Sequence, residues 1–239
     1  MKKSLLLAGA ILLLAVPAMA GGVNMTWGAG CWTDLHSDLE TFACTSNSGT
    51  HILNISYMVD VDIPDFVGIG VYLTAQQESA HGMEILVPWW QLDSGQCRPT
   101  PTASSDYTAY NTVCTDIFAG AAAGGLGAYQ DYLSTPMPTD QATMNGFFAM
   151  ADPVDLGPGV EYYGCRFNIG STKTVGSPSC AGCLQAVSWT LDQVLVSGLS
   201  VEIPLTTAIA GGNKVCYWQH KPITGTEKPT WGQVKALYR

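Results

Sequence analysis

The chain has 239 residues with a formal net charge of −9; only 12% of them are charged, while 26 are Gly and 13 are Pro. So acidic a balance repels phosphate backbones and anionic membrane surfaces, which excludes nucleic-acid binding. Few charges with many Gly and Pro point to a loop-rich β protein rather than a helical enzyme, and the length suffices for one sizeable core.

Residues 1–20 read as a secretory signal peptide. Lys2 and Lys3 precede the apolar run Leu5 to Val16, and Ala18-Met19-Ala20 supplies the small-x-small cleavage pattern. The expected mature chain starts at Gly21 and is secreted, extracellular or periplasmic. Loss of Lys2 and Lys3 leaves eight basic residues against nineteen acidic ones, a charge of −11. No later apolar run approaches the roughly 20 residues that cross a bilayer, so the mature form is expected not to span a membrane.

All eight cysteines follow that segment: Cys31, Cys44, Cys97, Cys114, Cys165, Cys180, Cys183 and Cys216. An even count in an oxidising compartment argues for four disulfides, although eight cysteines formally allow 105 pairings. Sequence proximity suggests Cys31 with Cys44, Cys97 with Cys114 and Cys180 with Cys183, leaving Cys165 with Cys216.

In chain order, residues 51–61 alternate, with Leu53, Ile55, Tyr57, Val59 and Val61 on one face and Asn54, Ser56 and Asp60 on a wet one. Residues 66–74 repeat the pattern. Gly68 and Gly70, opposite the apolar face, leave room for a neighbouring backbone or side chain to lie close. Between these strands Asp60, Asp62 and Asp65 offer three carboxylates to calcium as a cofactor, although Asp also simply favours turns.

Pro88-Trp89-Trp90 has two readings. Trp89 and Trp90, with Tyr107 and Tyr110 of the following loop, could form an aromatic platform for a sugar ring; alternatively the tryptophans plug one end of the core, with alternation turning only one of them inward. Thr115-Asp116 before Ile117 to Ala123, ended by Gly124-Gly125, marks a short side helix.

Further strands are expected at 127–133, 144–151, 160–169, 184–196, 199–207 and 213–219. Together they describe an all-β fold, a two-sheet antiparallel sandwich of the immunoglobulin-like or jelly-roll kind, over residues 21–220. Residues 221–229 read as a linker. Thr230 then caps a short C-terminal helix with Trp231, Val234 and Tyr238 on one stripe.

Catalytic signatures are scarce. The Cys180-x-x-Cys183 pair could be a redox site, half a metal site or a clip, but residues 184–196 alternate as a strand, whereas a redox pair needs a helix N-terminus. The histidines at 36, 51, 81 and 220 lack paired ligand spacing for zinc. No Gly-x-Ser-x-Gly elbow occurs. A carboxylate pair for an exported hydrolase remains open, since sequence carries no separation.

Four segments together carry a resemblance: Thr41-Phe42-Ala43-Cys44; Pro88-Trp89-Trp90-Gln91 leading to Cys97-Arg98; Cys180-Ala181-Gly182-Cys183; and the ending Thr230-Trp231-Gly232-Gln233-Val234-Lys235-Ala236-Leu237-Tyr238-Arg239. On these the chain resembles a group of uncharacterised secreted bacterial proteins over nearly all of its mature length. The strand series also resembles, in architecture only, cohesin-type jelly-roll sandwiches. The expectation is a secreted, disulfide-stapled sandwich acting as a non-enzymatic structural, surface or binding protein. Carbohydrate or another extracellular protein is its expected partner; the alternatives are a carbohydrate-binding module and a carboxylate-dependent hydrolase.

Overall fold

The computed structural model describes residues 21–28, 30–31, 37–78, 85–107 and 114–220. Residues 1–20, read above as a signal peptide, His36, His81, Tyr110 and the tail from 221, read above as a linker and short helix, lie outside them.

Eleven strands occur among the described residues: β1 (Gly22–Trp27), β2 (Leu39–Glu40), β3 (Thr50–Met58), β4 (Ile63–Gln77), β5 (Thr102–Ser104), β6 (Ala123–Asp131), β7 (Gln141–Leu156), β8 (Glu161–Gly170), β9 (Val187–Gly198), β10 (Glu202–Leu205) and β11 (Val215–Trp218). They form two sheets. The smaller runs β1-β3-β8-β5; the larger runs β2-β11-β9-β4-β7-β6, with β10 also pairing β9. All pairings are antiparallel except β2 with β11. The outer edge of β9 is shared, its first residues pairing with β11 and its last with β10.

Alternation drives this packing. Leu53, Ile55 and Tyr57 of β3 and Cys165, Phe167 and Ile169 of β8 are buried in the same core as Val71, Leu73 and Ala75 of β4 and Trp189 and Leu191 of β9. The fold is the expected β-sandwich, with one β2–β11 pair making the larger sheet mixed.

The side helix over 117–123 does not form. Asp116 does act as a local cap, its Oδ1 accepting the N–H groups of Phe118 and Ala119 at 3.1 and 3.0 Å. The chain then reverses through Ala119 and Gly120, both with positive φ, and residue 123 already opens β6. Six residues are too few to sustain a helix, and burying Phe118 against Phe66, 5.8 Å between rings, decides the conformation.

The polar face of β3 is not wet either. Asn54 and Ser56 are buried beneath described residues that lie over the smaller sheet, Gly28, Cys31, Tyr107 and Cys114 among them. There Cys31 is bonded to Cys114, the Tyr107 and Tyr163 rings lie 5.0 Å apart, and the Ser56 hydroxyl donates to Glu161 at 2.6 Å.

Candidate functional site

The loop at residues 171–186, between β8 and β9, holds the Cys-Ala-Gly-Cys segment. Its cysteines are not bonded to each other. Cys180 joins Cys97, Cys183 joins Cys44, and Cys31 joins Cys114, each with Cα atoms 5.9 or 6.0 Å apart. Each pairing expected from sequence proximity is therefore corrected. Cys165 and Cys216 are buried and belong to none of these three bonds. The pairing follows from which loops meet: two bonds fasten the loop at residues 171–186, and Cys31–Cys114 lies over the outer face of the smaller sheet.

Two loop carbonyls are tied to the core below: Trp89 N–H donates to Ala181 O at 2.9 Å, and Trp218 Nε1–H to Cys183 O at 2.7 Å. A side-chain amide adds a third tie, since Asn47 exchanges hydrogen bonds with both backbone groups of Val175.

Trp89 and Trp90 are both fully buried. Pro88–Trp90 is a single 3-10 turn, so the two-residue alternation that would turn one ring outward does not apply. Trp89 stacks on Trp218 with centroids 4.7 Å apart, and Trp90 meets Trp218 edge-on at 5.4 Å. The four aromatics expected to form a platform are not brought together. Two are core, Tyr107 is half-buried on the far face of the smaller sheet, donating its hydroxyl to Cys114 O, and Tyr110 lies outside the described residues. The core-plug reading of the tryptophans holds.

Arg98, next to Cys97, is also buried. Its Cζ sits 3.5 Å from the Trp89 ring centroid, while Nη1–H donates to Trp89 O at 2.7 Å and Nε–H to Thr172 O at 3.2 Å. Burial pushes the guanidinium down to about 9, partly opposed by Tyr129, so it stays charged at neutral pH.

Beside the loop lies a constellation that no motif announced. His51 Nδ1 is 2.7 Å from Glu40 Oε1, and Nε2 is 3.0 Å from Ser171 Oγ. With the carboxylate as acceptor, Nδ1 carries the proton and Nε2 accepts from the serine hydroxyl. These are the distances of a nucleophile, its base and an orienting acid. Access is what the arrangement lacks. Ser171 is fully buried, its N–H donates to Gly49 O rather than facing a space for an oxyanion, and its carbonyl accepts from Thr174. The ring of His51 is enclosed by Phe42 and Trp218, at 4.8 and 4.6 Å. The three residues come from β2, β3 and the end of β8, 11 and 120 positions from the histidine, so only the fold assembles them.

A shallow hollow of about 420 Å³ over the loop is lined by Cys44, Thr174 and residues 179–185. It presents backbone, small side chains, the exposed Leu184, Gln185 and disulfide sulfur but no titratable group. Asp60, Asp62 and Asp65 are exposed around the β3–β4 turn. The Asp65 N–H is bonded to Asp155 Oδ1, and no group of three or more His, Cys, Asp or Glu side chains placed to hold a metal occurs among the described residues. No helix among them is long and apolar enough to cross a membrane.

No protein-family model, no curated protein and no solved structure matches the chain.

Proposed function

We propose that this protein is a secreted, disulfide-stapled β-sandwich with a non-enzymatic surface or binding role. The observation that carries the reading is the burial of Ser171. The Glu40–His51–Ser171 constellation is enclosed by Gly49, Phe42 and Trp218 and ties three chain segments together instead of facing solvent. The three disulfides, each closing a loop of 83 or 139 residues, support an oxidising destination, as does the leader over residues 1–20. On this reading the two cysteines of the Cys-Ala-Gly-Cys loop are fasteners.

The test treats the exported protein with a serine-reactive fluorophosphonate and sequences its N-terminus. Expected are a chain beginning at Gly21 and no adduct on Ser171. A Ser171 adduct abolished by His51→Gln would make the protein an enzyme.

A further inference from the structure

The outer face of the larger sheet carries a feature that the fastened end does not. Phe147 is the only exposed aromatic ring among the described residues, 46% exposed in the middle of β7. In register it faces Gly70 of β4 on one side and Gly125 of β6 on the other. A Cβ at Gly70 would come within 3.2 Å of one ring edge, and a Cβ at Gly127 within 2.6 Å of the opposite edge. The phenyl ring thus lies across the sheet on a floor cleared by glycine. Tyr72 meets it edge-on at 5.7 Å and 81°.

Around the two rings the same face bears amides and hydroxyls. Asn145 and Gln193 flank Tyr72 on the neighbouring strands, and Thr74 pairs with Thr143 one row further. Charge is sparse there: Asp192 is engaged by the Thr74 hydroxyl at 2.7 Å, and Glu202 stands at the rim of a shallow hollow of about 480 Å³ beside Phe147, floored by Gly68 and Gly70 and walled by Leu195.

We infer that this face binds an uncharged glycan, one pyranose stacking on Phe147 and its hydroxyls meeting Tyr72 and Gln193. A sugar ring has an apolar face and a rim of hydroxyls that both donate and accept. A flat aromatic ring bordered by the Gln193 amide and the Tyr72 hydroxyl, which also do both, complements it. The charges named on this face, Asp192 and Glu202, are both carboxylates, which favours an uncharged ligand over an anionic one. A second copy of the chain is a poorer occupant: a stable dimer needs about 800 Å² per partner, and here the apolar offering is one exposed ring, Val67, Leu195, two alanines and glycines. The inference deepens the binding role proposed above by naming its ligand class.

The test is affinity electrophoresis of the whole exported protein through gels containing xylan, galactomannan or hydroxyethylcellulose, with polygalacturonate as the anionic control. Expected is retardation in at least one neutral gel, weakened about tenfold by Phe147→Ala and by Tyr72→Ala, kept by Phe147→Tyr and accompanied by an unchanged Tm. Absence of retardation in all three neutral gels, or retardation indifferent to both alanine variants, overturns the inference. So does a concentration-dependent dimer dispersed by Phe147→Ala, which would give the face to a second copy. Reducing ends released from the same polysaccharides would refute the non-enzymatic reading while leaving the platform in place, so the two failures are distinguishable.

Discussion

Arg98 covers the indole of Trp89, 3.5 Å from guanidinium carbon to ring centroid, and the same arginine donates to the Trp89 carbonyl at 2.7 Å. One side chain thereby holds both the ring and the backbone of the turn that inserts two tryptophans into the core. Arg98→Lys keeps the charge but loses the planar stack and the paired donors, and should cost about 2 kcal/mol. Arg98→Ala leaves a cavity and two carbonyls without donors, for about 4 kcal/mol. Urea midpoints at unchanged m-value measure both; equal stability of the lysine variant and the native protein would contradict the stacking argument.

Peptide mapping without reductant should recover Cys44 linked to Cys183, Cys97 to Cys180 and Cys31 to Cys114. A Cys180–Cys183 peptide would refute the double fastening of the loop. The Cys44–Cys183 bond closes 139 residues, so replacing both by Ser should lower stability by about 4–5 kcal/mol through regained loop entropy in the unfolded chain.

Gly182 has φ +97°, and a Cβ there would lie 2.4 Å from Val87 Cβ. Gly176, with φ +95°, has open space around the same position. Gly182→Ala should therefore cost about 3 kcal/mol or more, backbone strain and overpacking together, against about 1 kcal/mol for Gly176→Ala, where strain acts alone. Thermal unfolding of the two variants side by side separates the contributions; equal losses would mean that the loop moves away from Val87 without resistance.

Alkali should unfold the protein cooperatively. Burial raises the phenols of Tyr57 and Tyr129 well above their ordinary value, with Tyr162 adding to the first and Asp131 to the second. In the unfolded chain both ionise near pH 10, so above that pH the unfolded state has lost protons that the folded state retains. Their contribution to stability is complete below about pH 10 and is lost as pH rises toward the folded values. Near-UV tyrosinate absorbance should show a late step coincident with loss of circular dichroism. Burial also pushes the Cys165 thiol up, and it should resist alkylation until that same transition. Early labelling of Cys165 would show a core open to solvent.

Much of the sandwich was legible in the residue pattern, since side chains alternate across a strand and a half-apolar strand needs a covered face. Leu53, Ile55 and Tyr57 announced β3; in β8 a bulge opposite Ile55 and Ser56, which alternation does not foretell, separates Tyr163 from the core face of Cys165, Phe167 and Ile169. The glycines at 68 and 70 announced a close neighbour, which at Gly70 is the ring of Phe147 and at Gly68 the backbone at Phe148. Which cysteines bond, whether Trp89 and Trp90 face in or out, and that Glu40, His51 and Ser171 meet were decided only by the tertiary structure. Each depends on which chain ends and loops arrive together at one end of two sheets, and that arrangement is set by strand order, which no local spacing encodes. The Phe147 platform belongs to the same class. Its ring is ordinary in the sequence and becomes a surface only because β4 and β6 lay glycines on either side of it.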